Sequence, residues 1–587
     1  MKCHWGVSSR QLSIARAGRP LRNSWICQSC RSSQTRRKLF SSSASANTST
    51  DATLENKPYY ITTPIFYVNS TPHIGHLYSM VVADVLKRWQ VLKGKQAILS
   101  TGTDEHGLKV QRAAEAQDIQ PKALCDANSE MFKDLAKKAN ISYDRFIRTT
   151  DPEHRDAVEY AWARLKDAGY IYEKKHEGWY CVSDETFYPE TMIAKRVSPT
   201  TGKPITTAIE TGNEVEWTSE RNYHFRLTAF REKLLSFYAE NNDWMIPYSR
   251  YKEIIDWVQN NLEDLSISRP ASRLGWGIPV PDDPDQVIYV WVDALINYIT
   301  VAGYPNWPPG LQHTGGWPAD VHVVGKDIIR FHAVYWPALL MALDLPLPKG
   351  IHSHGHWLMN QKKMSKSVGN VVNPFFALDR WGVDSIRFFM MYIMSPANDA
   401  NYSNGYIVRV YNKWMRNNIG NLLNRITRPA IWSVRDTVVA MNGKDFSELP
   451  GGFLDQKQAI LLIARKVDQH MVRLNPRNGL MVLMEFVATS NAFLHDAEPW
   501  KLIKEDDTLK AQQVVYILAE SLRMMGILLQ PYIPDKASEF LDILGVSPDR
   551  RSLRYAMWNA DDTYGTPLVE LQQGAQGSLF PPPPVED

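Results

Sequence analysis

Residues Tyr59 to Gly107 constrain the fold more than any other part of the chain. Tyr59-Tyr60-Ile61-Thr62-Thr63 has the β-branched and aromatic makeup of a buried strand. The polar turn Asn69-Ser70-Thr71-Pro72-His73-Ile74-Gly75-His76 follows. Leu77, Val81, Val85, Trp89 and Leu92 then recur at mostly four-residue spacing, the mark of an amphipathic helix, closed by Gly94. Ala97-Ile98-Leu99-Ser100 is a second strand, running into Thr101-Gly102-Thr103-Asp104-Glu105-His106-Gly107. Two such strands in one sheet are parallel and joined by a right-handed crossover. The turn holding His73 and His76 and the loop holding Asp104 therefore lie at the same carboxyl edge, where open α/β sheets bind ligands. A helix N-terminus offers N–H groups and partial positive charge, which suit phosphate. Gly75 leaves room for a flat ring such as adenine against the backbone. Two imidazoles three residues apart can both reach one phosphate group. Taken alone, the His-Ile-Gly-His pattern also fits an ordinary capping turn with two surface histidines.

The rest of the chain must be several domains, because 587 residues exceed one. Apolar residues make up 44% and charged residues 22%, ordinary for a globular chain. No apolar run approaches the ~18 residues a membrane-spanning helix needs, so no membrane partner is expected. The first 50 residues stand apart. They hold nine of the 66 Lys and Arg and no Asp or Glu, and Arg36-Arg37-Lys38-Leu39-Phe40 leads into Ser41-Ser42-Ser43. Basic, serine-rich and acid-free is the makeup of a transit peptide, read as mitochondrial on its arginine content. The competing reading is a basic arm that touches RNA. Beyond it, 57 basic side chains face 63 acidic ones. Any RNA contact is thus confined to a local patch. Of five cysteines, Cys3, Cys27 and Cys30 fall in residues 1–50, leaving Cys125 and Cys181. A disulfide framework or a four-cysteine zinc site is excluded by that count.

Charged helical sequence continues from Gly107 to about Gly169, so residues 57–169 read as the first half of an α/β unit. Residues 170–286 change character, with short β-like pieces, turn signals and a helical stretch near Ala229 to Asn241. Apolar strand-like sequence returns at Val287-Ile288-Tyr289-Val290-Trp291-Val292-Asp293 and at Val321-His322-Val323-Val324-Gly325-Lys326-Asp327. Each ends in an aspartate, as Leu99 to Asp104 does. Ile351 to His356 is a further short strand candidate. The sheet is thus expected to resume over 287–356 after the inserted segment. Residues 406–560 read as a helical bundle, with apolar faces such as Ile419-Leu422-Leu423-Ile426 and Ile460-Leu461-Ile463. Residues 561–587, with Pro581 to Pro584, read as an extended tail.

Between sheet and bundle, over 357–405, lies Lys363-Met364-Ser365-Lys366-Ser367, in a polar loop with Lys362 before it and Gly369-Asn370 after it. Two lysines on such a loop can swing over a triphosphate and meet charge that develops on pyrophosphate. An early His-Ile-Gly-His and a late Lys-Met-Ser-Lys-Ser on a split parallel sheet are the paired signature of class I aminoacyl-tRNA synthetases. Within that class the chain resembles the methionyl-tRNA synthetases, in a mitochondrial form, over roughly Lys57 to Trp558. The matching stretches include Thr63 to Asn69, Thr101 to Gly107, Trp276 to Pro281, Tyr289 to Ala294 and Gly325 to His332.

The resemblance implies a Rossmann-type parallel sheet split by an inserted connective domain and followed by a helical anticodon-binding bundle. It implies adenylation of methionine by ATP, with Mg²⁺ sharing the phosphate charge, and transfer of the methionyl group to tRNA(Met) in the mitochondrial matrix. In the roles it implies, His73 and His76 hold the phosphates in the transition state and Lys363 and Lys366 hold the leaving pyrophosphate. Asp327 binds the ribose, and Lys326 lies beside the phosphates. Ile65, Tyr67, Trp291, Ala294, Leu295, Tyr298, Ile328 and His332 line the methionine pocket, and Asp104 pairs with the ammonium. A thioether is soft and apolar, so such walls suit it; Tyr67 and His332 are expected each to offer the sulfur a hydrogen bond. Leu295 departs from a proline common there in the family. Asn421, Arg425 and Trp500 match anticodon readers. Asn421 and Arg425, four apart, share a helix face, and an exposed tryptophan can stack on an unpaired base. Cys181-Val182-Ser183-Asp184 keeps one cysteine of a zinc knuckle, so no zinc is expected. A monomer is expected, since no appended tRNA-binding domain follows. The rival in another functional class is a non-catalytic RNA-binding paralogue, which loss of a motif histidine or lysine would mark; all four are present.

Overall fold

Six parallel strands form the central sheet: β1 (Tyr59–Tyr67), β2 (Ala97–Asp104), β3 (Arg145–Arg148), β4 (Met245–Ile246), β5 (Val321–Gly325) and β6 (Ile351–His354), in the order β3-β2-β1-β5-β6-β4. The computed structural model describes residues 57–584 except 185, 199–201, 309, 360, 365–370, 445–450 and 571–577. The expected leader and Lys366 lie outside the described residues, and Lys363 is described by its backbone alone. The strand order reverses between β1 and β5. That is the switch point at whose carboxyl edge open α/β sheets take ligands.

The expected strand–helix–strand start is present. Helix α1 (Ile74–Leu92) packs Leu77, Val81, Val85 and Trp89 against the sheet, all fully buried. Each such side chain contributes roughly 1.5–3 kcal/mol. β1 carries Pro64 although it is a central strand. Its register with β2 slips between Thr62 and Ile65, so the proline sits at a bulge, where no ladder N–H is missed. The Thr63 hydroxyl bridges the gap to Thr101 Oγ1 at 2.7 Å. The bulge turns Ile65 and Tyr67 toward the ligand edge, where both line the cavity described below. At Gly102 a Cβ would stand 2.0 Å from the Ile147 carbonyl oxygen, so only glycine lets β2 lie this close to β3.

Three sequence expectations need correction. The run Val287 to Asp293 is not one strand. Asp283–Ile288 joins a small antiparallel sheet, and Val290 opens helix α3 (Val290–Val301), with α2 (Pro152–Asp167) packed beside it. Nearly every residue of α3 is buried, so its sequence shows no polar face and mimics a buried strand. The sheet also resumes earlier than residue 287, since β4 pairs with β6 from within the expected insertion. Two residues are too few to leave a pattern. Finally, the tail folds onto the bundle. Leu579 and Phe580 are buried, Tyr411 donates its hydroxyl hydrogen to Pro581 O, and Tyr564 donates to Glu520.

The insertion forms a four-stranded antiparallel sheet around Ile171–Cys181 and Glu216–Phe225, with Leu265–Ser266 on its edge. Beyond the central sheet, Trp357–Met359 pairs with Lys362–Lys363 and Ala400–Tyr402. Helix α4 (Val383–Ile393) leads to the helical bundle, whose long members are α5 (Gly451–Val472), α6 (Pro476–Ala497) and α7 (Thr508–Leu529). Ile419, Leu422, Leu423, Ile426, Ile460 and Ile463 are buried as expected, while Leu461 is half exposed.

One knot of polar groups joins these parts. Arg387 of α4 is fully buried. It donates to Asp84 of α1 at 2.6 Å and to the carbonyls of Pro531 and Tyr532 at the end of the bundle. Further along α1, Trp89 and Lys93 both donate to Asp468 of α5, at 2.9 and 2.7 Å.

Candidate active site

A cavity of about 350 Å³ opens at the switch point. Its phosphate-like end is the start of α1. His73 caps that helix: its Nδ1 accepts the Gly75 N–H at 3.1 Å, and His76 Nδ1 accepts the His73 N–H at 3.1 Å. The two rings stack with centroids 3.6 Å apart. The capping turn and the turn expected to take phosphate are thus the same object. With each Nδ1 accepting, a neutral ring carries its proton on Nε2, so both histidines are Nε2–H donors. A Cβ on Gly75 would come within 2.9 Å of the His73 ring, so glycine here lets the imidazole fold over the helix end.

The other end is apolar. Ile65, Tyr67, Ala294, Leu295, Tyr298, Ile328 and His332 line it together with Trp291, whose ring stacks on Phe331 at 3.5 Å. Leu295 takes its place in this wall without disturbing α3. Asp104, 3% exposed, faces the same space from the end of β2. His332 donates Nδ1–H to Ile328 O at 2.9 Å and accepts the Tyr298 hydroxyl at Nε2, 2.7 Å away. Tyr67 donates its hydroxyl to His106 O at 2.8 Å. In this arrangement the Tyr67 hydroxyl and the His332 Nδ1–H are both given to backbone carbonyls.

Asp327 lines the cavity, and His356 Nε2 lies 3.1 Å from its Oδ1. Lys326 does not line it. Its ammonium pairs with Asp399 at 2.8 Å, and Asp399 also accepts the His356 N–H. A carboxylate from a segment 73 residues on claims this lysine, which a reading confined to its own strand misses. Lys363 lies on the strand paired with Leu358, at the foot of its loop. Asn421 is exposed and Arg425 half-buried on the bundle surface, and the Arg425 guanidinium sits 5.0 Å over the Trp500 ring. The three expected anticodon readers thus fall into one place.

Several lining residues escaped the sequence reading. Lys109 stands over the Tyr67 ring at 5.2 Å, one turn past the Asp104 loop. Asp184 reaches the cavity from the insertion and accepts hydrogen bonds from Cys181, Tyr188, Thr211 and Asn213. Burial and then Asp184 push the Cys181 thiol up to about 12, so it donates to Asp184 as a protonated thiol. His354 donates Nδ1–H to Gly355 O and lies 2.8 Å from the Ser79 hydroxyl. A histidine-dense strand, His352-Ser353-His354, was the available signal.

Burial pushes His332, His352 and His354 each down to about 4. The unfolded chain has these groups near 6.5. Between about 4 and 6.5 it therefore binds more protons than the folded chain, and stability falls as pH drops through that window. His354→Gln is expected to flatten the fall. Denaturant unfolding of both chains at about pH 7 and pH 5 checks this, and an identical loss in the variant would count against it.

The sequence from 59 to 427 matches the family description "tRNA synthetases class I (M)", and 456 to 576 matches "Anticodon binding domain of methionyl tRNA ligase". Sheet, switch-point cavity and bundle are those of the first class. A probable mitochondrial methionine–tRNA ligase of Neurospora crassa is 53% identical, covering 97% of this chain and 93% of its own. One from Schizosaccharomyces pombe is 44% identical over 89% and 96%. Among solved structures, Mycobacterium tuberculosis methionyl-tRNA synthetase in complex with methionyl-adenylate superposes with a TM-score of 0.80 at 37% identity, covering 89% of this chain and 100% of its own. The chain belongs to the methionyl-tRNA synthetase family, the methionine–tRNA ligases.

Proposed function

We propose that this chain activates methionine with ATP and passes the methionyl group to the 3′ end of tRNA(Met) in the mitochondrial matrix, acting as a monomer. One observation carries the reading: a single cavity joins an apolar, sulfur-tolerant end with a buried carboxylate to a helix terminus that carries two imidazole donors. Asp104 takes the methionine ammonium, and the walls from β1 and α3 take the thioether. The methionine carboxylate oxygen attacks the α-phosphorus and the bond to pyrophosphate breaks. His73 and His76 hold the phosphates by Nε2–H as charge builds. Lys363 and Lys366 meet the departing pyrophosphate, Asp327 holds the ribose, and Gly75 leaves space for the adenine. Mg²⁺ would come with ATP, held by phosphate oxygens; among the described residues no cluster of His, Cys, Asp and Glu is arranged to hold a metal without them. Little covalent chemistry falls to the protein; positioning and charge stabilisation carry the step.

Residues 1–50 serve as the import signal, a reading supported by their acid-free composition and by the mitochondrial names of the fungal relatives. The test of function is methionine-dependent ATP–pyrophosphate exchange, run beside leucine and isoleucine and followed by charging of tRNA(Met). Exchange driven by leucine or isoleucine in place of methionine would overturn the proposal, and no exchange at all would favour the RNA-binding alternative.

Asn421, Arg425 and Trp500 read the anticodon. Base–aromatic stacking contributes about 1–3 kcal/mol per base, so Trp500→Ala is expected to weaken tRNA charging roughly tenfold or more while leaving pyrophosphate exchange unchanged. Equal effects on both assays would place Trp500 in the fold and not in recognition.

A further inference from the structure

We infer that Asp293, acting through His106, is a positioning residue for methionine: it ties the Asp104 loop to the helix that walls the methionine pocket. The inference rests on the reading of Asp104 as the ammonium partner. Asp293 is fully buried in the first turn of α3. Its Oδ2 accepts His106 Nδ1–H at 2.6 Å, and its Oδ1 accepts His154 Nε2–H at 2.7 Å. His106 follows β2, two residues after Asp104; His154 is on α2. None of the three lines the cavity, so they touch no substrate.

What they hold does line it. α3 carries Trp291, Ala294, Leu295 and Tyr298, and the His106 backbone carbonyl takes the Tyr67 hydroxyl. Successive side chains of the loop are fixed in different directions. Glu105 is bound by Arg148 at 2.6 and 3.0 Å and by Thr150 at 2.6 Å, while His106 is bound by Asp293. Asp104 immediately precedes these two anchored residues. Burial alone would raise the Asp293 pKa, but the two imidazoles outweigh it and hold the group at about 2, an anion throughout the working range. A charge fixed at both oxygens sets the distance between pocket wall and ammonium site.

The experiment measures methionine KM, ATP KM and kcat by pyrophosphate exchange in Asp293→Asn, Asp104→Asn and the double variant. Misplacing a binding group by about 1 Å can cost 10²-fold, so Asp293→Asn is expected to raise methionine KM about ten- to hundredfold and ATP KM less than about twofold. In the Asp104→Asn background the same change should add less than about threefold, because the group it positions is already gone. If Asp104→Asn leaves methionine KM unmoved, the ammonium reading fails. If Asp104→Asn raises it and Asp293→Asn does not, or if the two effects multiply in full, the positioning role fails. Equal rises in both KM values would mean a general loss of fold. Should Asp293→Asn not fold, His106→Ala and His106→Asn replace it. The alanine should raise methionine KM, and the asparagine, whose amide N–H lies near the place of Nδ1, should restore part. No difference between them would overturn the inference.

Discussion

Asp104→Asn is expected to raise the methionine KM by about 30-fold to several thousandfold, the equivalent of about 2–5 kcal/mol for breaking one side of a buried charge pair. The carboxylate is 3% exposed at the end of β2, among apolar walls. An ammonium entering there gives up its water, and a neutral amide does not compensate the charge. The loop cannot retreat to let solvent in, because Glu105 is held by Arg148 and His106 by Asp293. In the proposed reaction ATP takes the other end, between the start of α1 and the ends of β5 and β6, so its KM should barely move. Pyrophosphate exchange across methionine concentrations measures both. A methionine KM within threefold of the parent would mean that the ammonium lies elsewhere.

Arg387→Met is expected to destabilise the fold by about 3–5 kcal/mol, the cost of removing one partner from a buried ion pair. Arg387 and Asp84 are both fully buried. Asp84 keeps Arg88 at 2.7 Å and Ser142 at 2.7 Å, but the carbonyls of Ala139, Asn140, Pro531 and Tyr532 all lose a donor. Adding Asp84→Leu should recover only part of the loss, since the carbonyls of Ala139, Pro531 and Tyr532 still lack the donor that Arg387 gave them, while Asn140 O keeps Arg88 at 2.8 Å. Burial works to raise the Asp84 pKa, while Arg387 and Arg88 outweigh it and lower it. A depressed carboxylate stabilises the fold above its unfolded pKa, and the contribution fades as pH falls. The gap between parent and variant should therefore narrow in acid. Unfolding midpoints in denaturant at several pH values check both statements, and a variant as stable as the parent would show that the knot contributes little.

How far the sequence alone could reach follows from the distances these groups span. β1, α1 and the Asp104 loop were readable because their periodicity and turn chemistry are local. The cavity walls were readable through the family resemblance, and all eight expected wall residues line the cavity. Asp293 was read as the end of a strand, since α3 shows no polar face. Its partner His106 lies 187 residues earlier. Arg387 pairs across 303 residues; a lone arginine between Ile386 and Phe388-Phe389 was the one available sign that a buried charge waits there. Lys326 was expected beside the phosphates through the resemblance, and its pairing with Asp399, 73 residues on, left no mark in the sequence. Periodicity reports which face of an element is covered, but not which distant polar group covers it.

Helix α1 spans 19 residues, or about 28 Å at 1.5 Å per residue. One end is the His73–His76 turn; the other is bolted to α5 through Trp89, Lys93 and Asp468. A stiff rod pinned at both ends transmits displacement undiminished, so a tilt of the bundle by a few degrees would shift the imidazoles by an ångström or more. The bundle is therefore no detachable cartridge. A chimaera that exchanged it for a relative's bundle would keep its catalytic alignment only if the mounting of the rod (Asp84, Arg387 and Asp468) travelled as a set.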